Sequence, residues 1–130
     1  MRILLFSDSE NIYRVTNSII DGQFNLERCN YADLWKNSFP PADVVIMHFD
    51  EEKIKKGTFE PIVKVKGNLG HKVPILAIIE GGTLQDIFSL LNVGADDYIE
   101  NIDKTQEYRE KIEQIVLWAW YLEKYVHKRE

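Results

Sequence analysis

Few side chains in this sequence can do chemistry, and most of them fall where a short apolar run ends. Ser7 and Asp8 follow Ile3-Leu4-Leu5-Phe6, and His48 and Asp50 follow Val44-Val45-Ile46-Met47. Asp8 and Asp50 are hard oxygen donors of the kind a divalent cation takes, and a nearby lysine such as Lys104 would suit phosphoryl oxygens. His48 offers a nitrogen. With His71 and His127 far away in sequence, one histidine beside two aspartates is not a metal-site pattern, so His48 reads as structural. No metal is expected; Asp8 is the weak candidate. Gly81-Gly82-Thr83 has backbone N–H groups that suit an anion, but neither the Gly-x-x-x-x-Gly-Lys-Ser/Thr nor the Gly-x-Gly-x-x-Gly pattern surrounds it. It reads as a turn and helix cap. Cys29 is the only cysteine, which excludes an internal disulfide and reads as a half-buried hydrophobe in a reducing compartment.

The elements that position these residues alternate. Three continuous apolar runs, Ile3–Phe6, Val44–Met47 and Ile75–Ile79, suit parallel strands covered on both faces. Phe24–Arg28 alternates, as a strand nearer an edge does, and Tyr98-Ile99 supplies a short fifth strand. Between them lie helical spacings: Ile12, Val15, Ile19 and Ile20; Ala32, Leu34 and Trp35; and Ile87, Phe88, Leu90 and Leu91 after a Thr83/Asp86 cap. The segment from Pro61 to Leu69 is rich in β-branched residues, yet a parallel crossover demands a helix there. Asp50-Glu51-Glu52 reads as a solvated loop. Five strands alternating with helices imply a doubly wound α/β sandwich, with the flavodoxin-like order 2-1-3-4-5. At 130 residues and 45% hydrophobic content, the chain reads as a single domain, 1–130. Its net charge of −5 argues against nucleic-acid binding. The apolar N-terminus is too short for a signal-peptide core or a membrane span, and the expected location is cytoplasmic.

The C-terminal segment carries a different signal. A long helix is expected over about 104–130, with Asp103 and Gln106 at capping-box spacing and no Gly or Pro inside. Tyr108, Ile112, Ile115, Ala119, Leu122 and Val126 form one stripe that can face a sheet. Leu117, Trp118, Trp120, Tyr121 and Tyr125 add apolar surface on other sides. A surface helix needs one apolar stripe, so the surplus aromatics point to a partner. A homodimer through this helix is the first reading, and a linker to an output domain is the second. His127-Lys128-Arg129 complements the helix dipole.

Asn92-Val93-Gly94-Ala95-Asp96-Asp97-Tyr98-Ile99, Pro74 before its apolar strand, and Pro41-Ala42-Asp43 before Val44 together resemble the receiver domains of bacterial response regulators, over roughly Arg2 to Val116. The resemblance implies the CheY-like fold and a role in two-component signalling. It also implies a phosphorylation cleft, which this chain departs from position by position. The acceptor aspartate, five residues after Asp43, is His48. The paired acids after the first strand are Ser7 and Asp8, so one acid remains. The hydroxyl residue at the end of the fourth strand is Ile79. The lysine seven residues after Gly94 is Asn101, and the proline after it is Ile102. Phosphoryl transfer needs an acceptor oxygen, a metal and a cation on the phosphoryl oxygens. With His48, Ser7, Ile79 and Asn101 in these places, a degenerate pseudo-receiver is expected. It would be a protein–protein interaction module with no enzymatic activity and no cofactor, and Tyr98 on the fifth strand would be a switch-type surface residue. Two alternatives stand beside it: a phospho-accepting receiver using a shifted site of Asp8, Asp50 and Lys104, and a small α/β ligand binder or enzyme using the strand-end crevice.

Overall fold

The computed structural model describes residues 1–126. Five strands, β1 (Arg2–Phe6), β2 (Asn25–Cys29), β3 (Val44–Phe49), β4 (Ile75–Ile79) and β5 (Asp97–Ile99), form one parallel sheet in the order β2-β1-β3-β4-β5. The three continuous apolar runs are the three central strands, and each is buried along nearly its whole length. β2 alternates exposed and half-buried residues because it lies at the sheet edge. One face of the sheet packs on α1 (Glu10–Ile20) and α6 (Thr105–Tyr121) through Ile12, Ile19, Tyr108, Ile112 and Ile115. The other packs on α2 (Tyr31–Trp35), α4 (Glu60–Leu69) and α5 (Leu84–Asn92) through Tyr31, Leu34, Ile62, Val65, Ile87 and Leu90.

Local chemistry starts most of these helices. Ser9 Oγ accepts from Ile12 N at the head of α1, and Thr83 and Asp86 close a reciprocal capping box at α5. Asn30 and Asp33 do the same at α2, a spacing that sequence inspection passed over. The Pro61–Leu69 segment is helical despite its β-branched residues, because Ile62 and Val65 gain full burial against the sheet. Two expectations are corrected. Asp50-Glu51-Glu52 is not a plain loop: Asp50 is the N-cap of a five-residue helix, α3 (Glu51–Lys55), where its carboxylate accepts from Lys53 N. And α6 begins without the expected capping box, since Lys104 stands at the N-cap with no side-chain bond.

The motif residues that suggested the fold have structural work in it. Asp43 Oδ2 accepts from Arg2 N at 2.8 Å, tying the start of β3 to the start of β1. Asp96 Oδ2 accepts from Ile75 N at 2.8 Å and from the buried Lys66 ammonium at 3.0 Å. Lys66 Nζ also donates to the carbonyls of Val73 and His71, at 2.9 and 3.3 Å. Gly94, at φ 130°, lies where a Cβ would come within 3.4 Å of the Lys66 stem. One lysine thus joins α4, the strand of chain before β4 and the turn into β5.

The terminal helix is fixed to the core by Tyr108, whose hydroxyl shares a 2.7 Å hydrogen bond with Thr16 Oγ1 of α1. Burial holds the Tyr108 hydroxyl pKa far above its usual value. Lys111 bonds both Asp97 oxygens at 3.0 Å, which sets the helix against the β5 edge. Tyr108, Ile112, Ile115 and Ala119 are buried as the stripe predicts, and Leu122 is half-buried. The α-helix ends at Tyr121 and continues as a π-helical turn over Leu122–Val126. The Val126 side chain and His127-Lys128-Arg129 lie outside the described residues.

Candidate functional site

The C-terminal ends of β1, β3 and β4 converge on one cleft, where a doubly wound sheet places its site. Ser7 leaves β1 fully buried, and His48, one residue from the end of β3, is 6% exposed. Ser7 Oγ lies 3.1 Å from His48 Nδ1, and His48 Nε2 lies 2.6 Å from Glu80 Oε1, just past β4. Ser7 Oγ also accepts from Ser9 N at 3.0 Å. The result is a relay, Ser9 N–H to Ser7 to His48 to Glu80, across three adjacent strand ends. Tyr31 closes it from above: its hydroxyl donates to the His48 carbonyl at 2.6 Å, and burial, with Asp8 and Asp50 nearby, holds the phenol well above its usual pKa.

The relay does not make a nucleophile. A serine beside a histidine and a carboxylate resembles an acyl-transfer triad in composition, but Ser7 has no exposed surface through which to meet a substrate. Both ring nitrogens of His48 are committed, so none is free to accept a phosphoryl group or bind a metal.

The acids lie beside the relay and are engaged by a residue that sequence inspection did not single out. Lys53 Nζ lies 3.2 Å from Asp8 Oδ2 and 3.4 Å from Asp50 Oδ2, and 4.5 Å from the Tyr31 ring centroid. Asp8 Oδ1 accepts from Tyr31 N at 3.2 Å. Partial burial pushes the Asp50 carboxyl up, but the Lys53 backbone N–H and ammonium outweigh it and hold the pKa below the usual value.

The structure therefore gathers Ser7, Asp8, His48 and Asp50, together with Glu80, Lys53 and Tyr31. The other positions turn to other partners. Asn101 Oδ1 accepts from Asp103 N at 3.2 Å in an exposed turn, and Lys104 pairs with Glu107 at 3.8 Å. Ile79 is buried, and its Cδ1 lies 2.7 Å from where a Cβ would stand on Gly82, so Gly82 lets the chain pass close over the apolar end of β4. Glu80 was legible only as the residue after Ile79, and Lys53 only as three residues after Asp50.

Away from the cleft, α5 exposes Leu84 (75%) and Phe88 (67%), and Tyr98 is half-buried on β5 with Lys111 Nζ 5.9 Å from its ring centroid. Beyond Lys111, the end of α6 carries an exposed aromatic group. Trp118 stacks on Tyr121 at 5.4 Å and 9°, Tyr121 meets Tyr125 at 5.1 Å, and Trp120 lies edge-on to Tyr125 at 6.3 Å.

Comparison with known proteins places the architecture. No protein-family model and no curated protein sequence matches the chain. Solved structures do. NtrX from Brucella abortus superposes with a TM-score of 0.72 at 15% identity, over 99% of this chain and 29% of that one. TadZ, a CheY-like protein from Pseudomonas aeruginosa PAO1, gives 0.70 at 12% identity, over 88% of this chain and 98% of that one. A CheY-like response regulator from Mesorhizobium loti gives 0.68 at 21%, over 88% and 97%. This is the receiver fold. The chain spans less than a third of the NtrX chain and nearly the whole length of the two CheY-like proteins.

Receiver folds imply a Mg²⁺ ion between acids at this end of the sheet, and the donor set here does not fit one. Of the acids at the cleft, Asp8 and Asp50 both lie within salt-bridge distance of the Lys53 ammonium, and Glu80 is taken up by His48. Among the described residues, no group of three His, Cys, Asp or Glu side chains is placed to hold a metal. No helix among them is long and apolar enough to cross a membrane.

Proposed function

We propose that this chain is a degenerate pseudo-receiver, a cytoplasmic signalling module that works by protein–protein contact without aspartyl phosphorylation, catalysis or a cofactor. The observation that carries the reading is the Ser7–His48–Glu80 relay. Where a receiver needs a free carboxylate, it has an imidazole bonded at both nitrogens. The buried hydroxyl of Ser7 and the apolar Ile79 replace an acid and a hydroxyl that would face a phosphoryl group.

The contact surface follows from what is left uncovered. Leu84 and Phe88 on α5, Trp118 and Tyr121 at the end of α6, and Tyr125 in the turn that follows are exposed to water, and Tyr98 on β5 is half-buried. Trp and Tyr are frequent interface anchors because they bury large area with few rotatable bonds. The favoured partner at the terminal helix is a second copy of this chain. A separate protein or an output domain is the other occupant, in keeping with the match to a small part of the longer NtrX chain.

Light scattering on the eluting full chain tests this arrangement. The wild type is expected at the mass of a dimer, and a Trp118→Glu/Tyr121→Glu double variant at that of a monomer. Both positions are exposed on one side of α6, so the variant keeps the buried stripe. A monomeric wild type removes the homodimer; a dimeric variant removes the helix as its interface.

A further inference from the structure

We propose that Lys53 is the resident cation of the cleft: its ammonium holds Asp8 and Asp50 together in the role a divalent ion plays in receivers, so the surrounding loops are set without metal. The inference rests on the pseudo-receiver reading and names the part that makes it independent of metal.

The geometry argues for a built-in counter-ion rather than a stray surface pair. Lys53 is one turn from Asp50 on the same short helix, and its backbone N–H is the donor that Asp50 caps, at 2.9 Å. Its side chain is 20% exposed, less than either carboxylate, at 51% for Asp8 and 43% for Asp50. The ammonium therefore sits on the inner side of the acids, with the Tyr31 ring 4.5 Å beneath it. Each acid is also tied to backbone: Asp8 to Tyr31 N at the head of α2, and Asp50 to Lys53 N at the head of α3. Through one ammonium, the ends of β1 and β3 and the starts of two helices are joined.

The charge balance gives the consequence. Two carboxylates facing one ammonium leave one net negative charge. A divalent ion would have to enter against that ammonium or displace it from both acids and from the ring. Removing the lysine charge leaves Asp8 and Asp50 facing each other with no cation, which is the situation a hard cation relieves.

Thermal melting of the full chain in MgCl₂ against KCl of equal ionic strength tests the proposal, with Lys53→Met, Lys53→Arg and Lys53→Met/Asp8→Asn variants. The wild type and Lys53→Arg, which keep a cation, are expected to melt at the same temperature in both salts. Lys53→Met is expected to melt lower in KCl and to recover in MgCl₂, and adding Asp8→Asn is expected to abolish the recovery. Carbon NMR of the Asp50 carboxyl gives a second readout: its titration midpoint rises in Lys53→Met. A wild type or Lys53→Arg protein stabilised by Mg²⁺ overturns the proposal. So does a Lys53→Met protein that neither loses stability nor responds to Mg²⁺, or one whose Asp50 titrates as in the wild type. These outcomes are separable from the functional reading, which falls on phosphate transfer rather than on metal response.

Discussion

Asp96→Ala is expected to destabilise the fold by about 3 kcal/mol, the scale on which removing one partner strands a buried charge. The Lys66 side chain is only 7% exposed, and among the described residues Asp96 is its one carboxylate partner, at 3.0 Å. Without Asp96, the ammonium keeps two carbonyls, and Ile75 N at the head of β4 loses its acceptor. For a chain of this size the loss corresponds to a fall in melting temperature of roughly 10 °C. The cycle with Lys66→Met separates causes. Methionine fills similar volume without a charge, so Lys66→Met/Asp96→Ala is expected to lose less than the sum of the single variants. Additive losses in denaturant unfolding would mean that Asp96 acts only through Ile75 N.

The second large effect falls on the relay. His48→Ala is expected to cost about 2–3 kcal/mol, from the cavity left by a buried ring and from the hydrogen bonds lost at both its ends. Ser7 bears the consequence most directly, because it is fully buried and its hydroxyl is hydrogen-bonded to the His48 ring. Ser7→Ala in the His48→Ala background should therefore add little further loss. Glu80, with half its side chain exposed, can turn to water when the ring is gone. Urea unfolding of the four proteins measures the coupling; independent, additive losses at Ser7 and His48 would contradict a shared relay.

The fold was readable because its central strands are buried on both faces and so appear as unbroken apolar runs. The Asp43 and Asp96 motifs could be matched by position, although their reason, acceptors for Arg2 N and for Ile75 N with Lys66, appears only in three dimensions. The helix over Glu60–Leu69 had to be argued from topology against its own β-branched residues, and α3 was missed because five mostly charged residues carry no apolar period. The cleft was legible as a set of departures from the receiver pattern, at His48, Ile79, Asn101 and Ser7. The contacts made around Ser7 and His48 were not legible. Ser7 and His48 are 41 residues apart, and His48 and Glu80 are 32 apart, so their contact depends on the register of β1, β3 and β4. Lys53 was hidden for a different reason: a Lys in an acidic surface segment looks like any solvated charge until its ammonium is placed between two carboxylates.

The central claim is that no carboxylate in this cleft accepts a phosphoryl group, and intact-mass measurement after incubation with acetyl phosphate and MgCl₂ tests it most directly. The expected result is an unmodified mass for the wild type, and equally for Asp8→Asn and Asp50→Asn. A phosphoryl adduct on the wild type that disappears in Asp50→Asn would contradict the account and establish the shifted site at Asp50 instead.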